Sequence, residues 1–509
     1  MIGLEYKPYI IDTGYLFPPS LADFLSSNDE VHIFREVTEN LDIGNLDTDF
    51  HGMGQHPYHP LMLLRLLMWG MANRVVSTRK IEVLTRRDVS YIYLSGGQRP
   101  DYRSLARFRR RNAKEIEKLF KDTVLLCVRL GMVNVGHIAL DGTKLKANTS
   151  KHKAMSYGRM KQEEVRLERE IEGLMQQAEE VDREEDKVFG ANNNGYNLPE
   201  ELRRREGRLE KIRRLKQEME QEKRQEQGLE EGQVPHIEDK EQRSFADRKA
   251  RMMLMKRGEF DYAYNAQLGV EEGHGVIIAA DLDNQASDME HLPTMVQEIR
   301  ELREGLEKGD EELTQMTADK GYFSVNNIQQ EGQGIELLIA SGREGKEEQE
   351  EEVKVFSLER FDYLKESDSW RCPAGRLLVR ERKELLKGRP LLRRYVCPDC
   401  DGCSLRAYCL RNGEERRSLL VKRKQLIRGE MRSRLKKPEK QAIYRKRKWV
   451  VEQVIGQIKD GLGFRGVTMR GQEFARAQWL LVCAVHNVLK AVRFIANCKR
   501  RKAVAITGW

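Results

Sequence analysis

The stretch GHIALDGTKLKANTS occupies residues 136–150. A short apolar run, Ile138, Ala139 and Leu140, ends on the acid Asp141, and Gly142, Thr143, Lys144 and Lys146 follow. A buried strand that ends in a carboxylate presents it where a sheet opens to a ligand. The stretch LTQMTADKGYFS (313–324) repeats the pattern, with a strand ending at Asp319 and then Lys320 and Gly321. Between them, YAYNAQLGVEEGHGVIIAADLD (262–283) alternates as two strands around the turn EEGHG, which predicts a hairpin. GIELLIAS (334–341) is a further strand, and a helix is expected from about Asp288 to Leu306; DNQASDMEH (283–291) offers Asp288 and Glu290 near the acids, with Asp288 favoured as the helix cap.

A third acid joins from a helix. In KWVVEQVIGQIKDGLGF (448–464), Val450, Val451, Val454, Ile455 and Ile458 form one apolar face. Glu452, Gly456 and Lys459 form a stripe beside it. Glycine costs about 1 kcal/mol relative to alanine inside a helix, so Gly456 suggests that something large approaches there. Three carboxylates from separate elements suit a pair of Mg²⁺ ions, which take oxygen ligands and keep several waters. Two such ions about 3.5–4 Å apart serve an in-line displacement at phosphorus. Without metal, three crowded acids would repel one another. Metal-assisted phosphoryl transfer on nucleic acid is therefore the chemistry expected.

Charge agrees. The chain has 509 residues, 90 Lys and Arg against 81 Asp and Glu, and a net charge of +9. Residues 411–448 hold sixteen Lys or Arg against four Glu, and RPDYRSLARFRRR (99–111) holds six Arg against one Asp. Such clusters point to a polyanion. Residues 1–130 read as helices, with a long one starting near Asp101 or Ser104 and ending at Gly131. Its Arg107, Arg109 and Arg110 suit a groove or a line of phosphates. Met160, Leu167, Ile171, Leu174, Ala178 and Val181, then Leu202, Leu209, Ile212 and Met219, predict an antiparallel coiled-coil hairpin over 160–222 with Glu164 in the seam. Residues 223–243 read as a linker. No signal peptide and no transmembrane stretch is apparent, which points to the cytoplasm and away from a membrane.

The cysteines cluster. CPAG (372–375) precedes CPDCDGCSLRAYC (397–409). Cys372 with three of Cys397, Cys400, Cys403 and Cys409 suits a tetrahedral Zn²⁺ site. The spacing also admits an iron–sulfur cluster or no metal at all. Cys127, Cys483 and Cys498, like His486, read as core residues. Asn265 and Gln267 read either as packing residues or as DNA contacts.

IALDGTKLKANTS, YNAQLGV, MTADKGYFS and RKWVVEQVIGQIKDGLGFRGVTMRG together resemble bacterial insertion-sequence transposases of the DDE type. The resemblance spans nearly the whole chain. It implies an α/β fold: a ribonuclease-H-like mixed sheet core, an all-helical N-terminal domain, an inserted helical hairpin and a small Cys-rich insert. The implied division is 1–130 for the DNA-binding helices, 131–153 with 250–342 for the first part of the core, 154–249 for the hairpin and linker, 343–440 for the Cys-rich basic insert, and 441–509 for the rest of the core. Asp141, Asp319 and Glu452 become the catalytic and Mg²⁺-binding triad, with Mn²⁺ able to substitute. The family places a Tyr and an Arg before the Glu and a Lys after it. Lys459 fits, whereas Tyr444 and Arg447 lie one residue farther from the Glu than usual, and Lys448 stands where that Arg would be. Arg465 and Arg470, in FRGVTMRG, and Lys144 complete the expected DNA contacts. The implied reaction cuts transposon-end DNA to free a 3′ hydroxyl, which then attacks target DNA, with a homodimer holding two ends. A ribonuclease-H-like nuclease without strand transfer and a non-enzymatic metal-binding DNA regulator are the competing expectations. The latter predicts that the three acids lie far apart.

Overall fold

The computed structural model of the chain describes residues 20–44, 46, 56–189, 200–230, 232–256, 258–307, 312–341, 356–381, 392–410 and 413–507. It is a mixed α/β structure. Its main sheet contains β1 (His137–Lys146), β2 (Phe260–Glu271), β3 (Ile277–Asp283), β4 (Thr314–Ala318) and β5 (Ile335–Ile339), in the order β3–β2–β1–β4–β5. The pairs β1–β2 and β2–β3 are antiparallel, whereas β1–β4 and β4–β5 are parallel. A short strand, Arg251–Leu254, also pairs with the start of β2.

β2 and β3 form the hairpin predicted around EEGHG. From Tyr262 to Glu271 β2 is buried throughout, as a strand covered on both faces must be. β1 differs from expectation in that it does not stop at Asp141. Its ladder with the longer β2 continues to Lys146, opposite Ala263. The parallel partner β4 pairs only with His137–Ala139. At Asp141, therefore, β1 has lost β4 but kept β2, and burial falls from complete at His137–Leu140 to partial at Asp141–Lys144. The acid sits where the sheet parts.

One contiguous apolar core runs from Val31 and Phe34 through the sheet to Val488 and Val492. The C-terminal helix, Gln472–Thr507, packs on β3 and on the helix Glu115–Arg129. Its stretch Gln472–Arg500 is long and apolar enough to cross a membrane, contrary to the expectation from the sequence, but 67% of its apolar window is buried inside the protein. Asn487 Nδ2 donates to Ile277 O at 2.8 Å, and Asn487 Oδ1 accepts from Ile277 N at 2.9 Å, so a side-chain amide completes the edge of β3. His486 is a core histidine, bonded to Gly275 O at 3.0 Å.

The expected single helix through Gly131 is two, Tyr102–Arg111 and Glu115–Arg129. The break falls at Asn112, whose side-chain amide donates to Phe108 O at 2.9 Å and so competes with the helix backbone. The inserted helices run Tyr157–Phe189 and Glu200–Glu226, and a three-residue ladder joins Ala154–Ser156 to Gln242–Ser244, at the end of the expected linker. Met160, Leu167, Leu209, Ile212, Leu215 and Met219 are buried between the helices. Ile171 and Leu174, farther along the first helix, are half-buried. The remaining seam residues of that helix, Ala178 and Val181, have side chains outside the described residues. Glu164, the polar position in the seam, takes Arg213 at 3.0 Å and Lys216 at 2.7 Å.

A separate five-stranded antiparallel sheet, built from Asp362–Leu364, Ser369–Arg371, Leu377–Arg380, Leu392–Val396 and Ser418–Lys422, carries the cysteines around a core of Phe361, Trp370 and Tyr395.

Candidate active site

Asp141 and Asp319 are each oriented by a nearby glycine. Gly142 N donates to Asp141 Oδ1 at 2.8 Å, and Gly321 N donates to Asp319 Oδ1 at 2.7 Å. Asp319 also caps the short turn Lys320–Tyr322, which carries the chain away from β4. Burial pushes the Asp141 carboxyl up to about 6, and the Asp319 and Asp288 carboxylates add to the rise against the Gly142 N–H and Arg447. The two strand acids thus feel each other's charge and that of a third acid, Asp288, which the sequence offered near the site but favoured as a helix cap. Ser287 caps a short 3-10 turn, Asp288–Glu290, and the helix itself begins at Leu292 with His291 at its N-cap. The carboxylate of Asp288 turns to the sheet, where its Oδ1 accepts from Asn265 Nδ2 at 2.8 Å, Gln267 Nε2 at 3.0 Å and Lys144 Nζ at 3.3 Å. Asn265 and Gln267 are fully buried, so they serve packing and this network. Tyr322, also buried, donates its hydroxyl to Gln267 Oε1.

Glu452 lies on the helix Pro438–Gly456, which starts ten residues before the stretch that predicted it and continues through a π-helical turn, Gln457–Gly461. The helix packs on β1, β2 and β4. Its buried stripe, Val450, Val451, Val454 and Ile458, also carries Arg447, whose Nη1 lies 3.5 Å from Asp141 Oδ2. Arg447 Nε and Nη1 are shut off from water without a hydrogen bond. Its guanidinium lies 5.9 Å from the centre of the Tyr444 ring. Glu452 is exposed on another side of the helix. Lys459, two turns on, donates to Thr143 Oγ1 of β1. A side chain added at Gly456 would meet open space.

The other expected DNA contacts are spread more widely. Lys448 is exposed. Arg465 and Arg470 line an open groove of about 500 Å³ with Lys146 and Lys153, where Arg465 pairs with Asp460 and Arg470 Nε donates to Asn148 O at 3.2 Å. Lys144 also donates to Ala286 O at 2.9 Å. Arg107 is exposed, Arg110 lies 4.8 Å from the centre of the Phe474 ring, and Arg109 turns inward with Nε and Nη1 sealed from water.

Three residues beyond Asp288, His291 Nε2 lies 3.1 Å from Asp283 Oδ1, and Arg476 joins Asp281 to Glu117, with Arg476 Nε 2.6 Å from Asp281 Oδ1. Burial alone would lower the His291 pKa, but Asp281 and Asp283 outweigh it and raise it to about 9. A histidine raised in this way stabilises the fold fully below its unfolded value of about 6.5 and loses that contribution as pH rises through 9. His291→Gln is therefore expected to flatten the fall in stability between about pH 6.5 and 9. Denaturant midpoints measured across that range check it, and an unchanged slope would contradict it.

Cys372, Cys397, Cys400, Cys403 and Cys409 surround one cavity of about 20 Å³, together with Arg376, Arg406 and Arg417. All five are free thiols. Arg417 N donates to Cys400 Sγ at 3.5 Å. Burial, followed by its neighbour Cys400, pushes the Cys397 thiol up to about 11. Among the described residues, no group of three or more His, Cys, Asp or Glu stands arranged to hold a metal ion.

Two family models match the chain. "Transposase domain (DUF772)" matches residues 19–111, and "Transposase DDE domain" matches residues 371–492. The first ends with the Arg-rich helix, and the second runs from the cysteine-bearing sheet through Glu452 into the C-terminal helix. Asp141 and Asp319 fall between them. No curated protein and no solved structure matches.

Proposed function

We propose, on the support of the two transposase-domain matches, that the chain is a DDE transposase of insertion sequences that cleaves the ends of its element and joins their 3′ hydroxyls to target DNA. The observation that supports this is that Asp141 and Asp319 follow the last paired residues of the neighbouring parallel strands β1 and β4, with the Asp288 carboxylate against the glycine beside each. A DNA regulator with merely structural acids has no reason to crowd them. The strand order, with its antiparallel half and its parallel half, supports a ribonuclease-H-like core.

Carboxylate oxygens suit Mg²⁺ or Mn²⁺. Asp141 and Asp319 would hold the ions, with Glu452 as the third carboxylate. Bound there, divalent metal would supply a nucleophile at neutral pH and charge stabilisation at phosphorus. The Gly142 and Gly321 N–H groups fix the two carboxylates in advance. Arg447 supplies countercharge to Asp141. Tyr444, Lys448, Lys459, Arg465 and Arg470, all near Glu452 in sequence, are proposed to hold end DNA, with Lys144, Arg107, Arg109 and Arg110 as further contacts. A homodimer in the bacterial cytoplasm is the working form proposed.

Protein incubated with Mg²⁺, end-bearing DNA and a supercoiled plasmid should yield joined products that disappear in Asp319→Ala. Cleavage without joining would favour the nuclease, and joining that persists in Asp319→Ala would overturn the assignment.

The cysteine cavity is proposed as a zinc site. Purified protein should then carry about one zinc per chain by plasma mass spectrometry, and Cys397→Ser with Cys400→Ser should lose it. Metal-free protein would contradict the proposal, and iron with sulfide would indicate a cluster instead.

A further inference from the structure

Asp288 lies between the two glycines that orient the strand acids. A Cβ added at Gly142 would sit 2.9 Å from Asp288 Oδ1, and one added at Gly321 would sit 3.2 Å from Asp288 Oδ2. Each oxygen therefore abuts one of the backbones whose N–H holds Asp141 or Asp319. Asp288 itself is held from β1 by Lys144 and from β2 by Asn265 and Gln267. Gln267 in turn takes the hydroxyl of Tyr322, which follows Gly321. The loop is closed: β1, β2, Asp288 and the Asp319 turn form one ring of contacts.

We propose that Asp288 is a positioning residue that sets the separation of the Asp141 and Asp319 carboxylates for divalent metal. The inference rests on the proposed metal-dependent function. Its chemical basis is packing plus acceptance of three hydrogen bonds by one oxygen. Bringing β1 and the Asp319 turn together without it would leave Asn265, Gln267 and Lys144 without their shared acceptor. Groups that orient ligands from behind typically affect metal affinity by about 10–100-fold.

The test uses the full chain and Mn²⁺, with free Mn²⁺ followed by electron paramagnetic resonance in the absence of DNA. Asp288→Ala should weaken Mn²⁺ binding by about 10–100-fold. Asp288→Asn keeps an acceptor oxygen of the same shape, and should retain affinity within a few-fold of the parent. Circular dichroism and denaturant midpoints without metal establish that each variant is folded. Unchanged affinity in Asp288→Ala overturns the proposal. Equal loss in Asp288→Asn and Asp288→Ala also overturns it, because charge rather than placement would then be at work. Asp141→Ala separates the two ideas. If the parent binds Mn²⁺ and Asp141→Ala does not, while Asp288→Ala does so normally, only the role of Asp288 falls. If Asp141→Ala binds like the parent, or the parent does not bind, the metal-dependent reading falls with it.

Discussion

Asp141→Asn is expected to reduce strand joining by about 10³-fold or more, which corresponds to ~4 kcal/mol of lost transition-state stabilisation. Asn keeps the size of the side chain and one acceptor for the Gly142 N–H, so the backbone need not move. It removes the negative charge that a hard cation requires. Asp319→Asn should behave alike, and the double variant should lose little more, because the two acids act as one unit. The fold itself should not suffer. A carboxyl whose pKa is raised to about 6 is disfavoured in its ionised form, so its stabilising contribution falls as pH rises through that value. At about pH 8 in chelator, Asp141→Asn should therefore unfold at a denaturant concentration no lower than the parent. Joining assays and denaturant curves on the same preparations check both halves. Substantial joining by either variant would end the catalytic assignment.

Trp479→Ala should produce the largest loss of stability. The side chain is fully buried in the C-terminal helix, stacks against Phe464 with ring centres 6.5 Å apart, and donates its indole N–H to Gln267 O at 3.2 Å. Truncating a buried Trp costs about 3–5 kcal/mol, and the Gln267 carbonyl loses its side-chain donor as well. The consequence reaches Asp288, which the Gln267 side chain holds. Far-ultraviolet circular dichroism during denaturation should show a midpoint shift of that size. A loss below about 1 kcal/mol would mean that the helix is not integral to the core.

Much of this was legible in the sequence. The buried run Ile138–Leu140 before Asp141, the EEGHG hairpin and the seam positions Met160, Leu167, Leu209, Ile212 and Met219 all follow from local periodicity, which local structure obeys. What escaped was tertiary. The extent of β1 past Asp141 is set by the length of β2, a partner far along the chain. Asp288 carried a plain capping signal, but it falls inside a 3-10 turn capped by Ser287 and the helix starts only at Leu292, so the acid faces the sheet. Arg447 was more readable than its spacing from Glu452 suggested. It lies three and four residues before Val450 and Val451, on the buried stripe, and this alone aims it at the sheet.

The inserted helices have a consequence for assembly of the sheet. β1 and β2 are neighbours, with Lys146 opposite Ala263, yet the whole insert lies between them in the chain. The ladder of Ala154–Ser156 with Gln242–Ser244 ties its two ends together at the base. Once the helices zip, the span that must close before β1 meets β2 is short, so the entropy of a long loop is largely removed. The insert is then an outrigger whose reach can vary independently of its mooring. Removing matched heptads from both helices should shorten it without displacing Asp141.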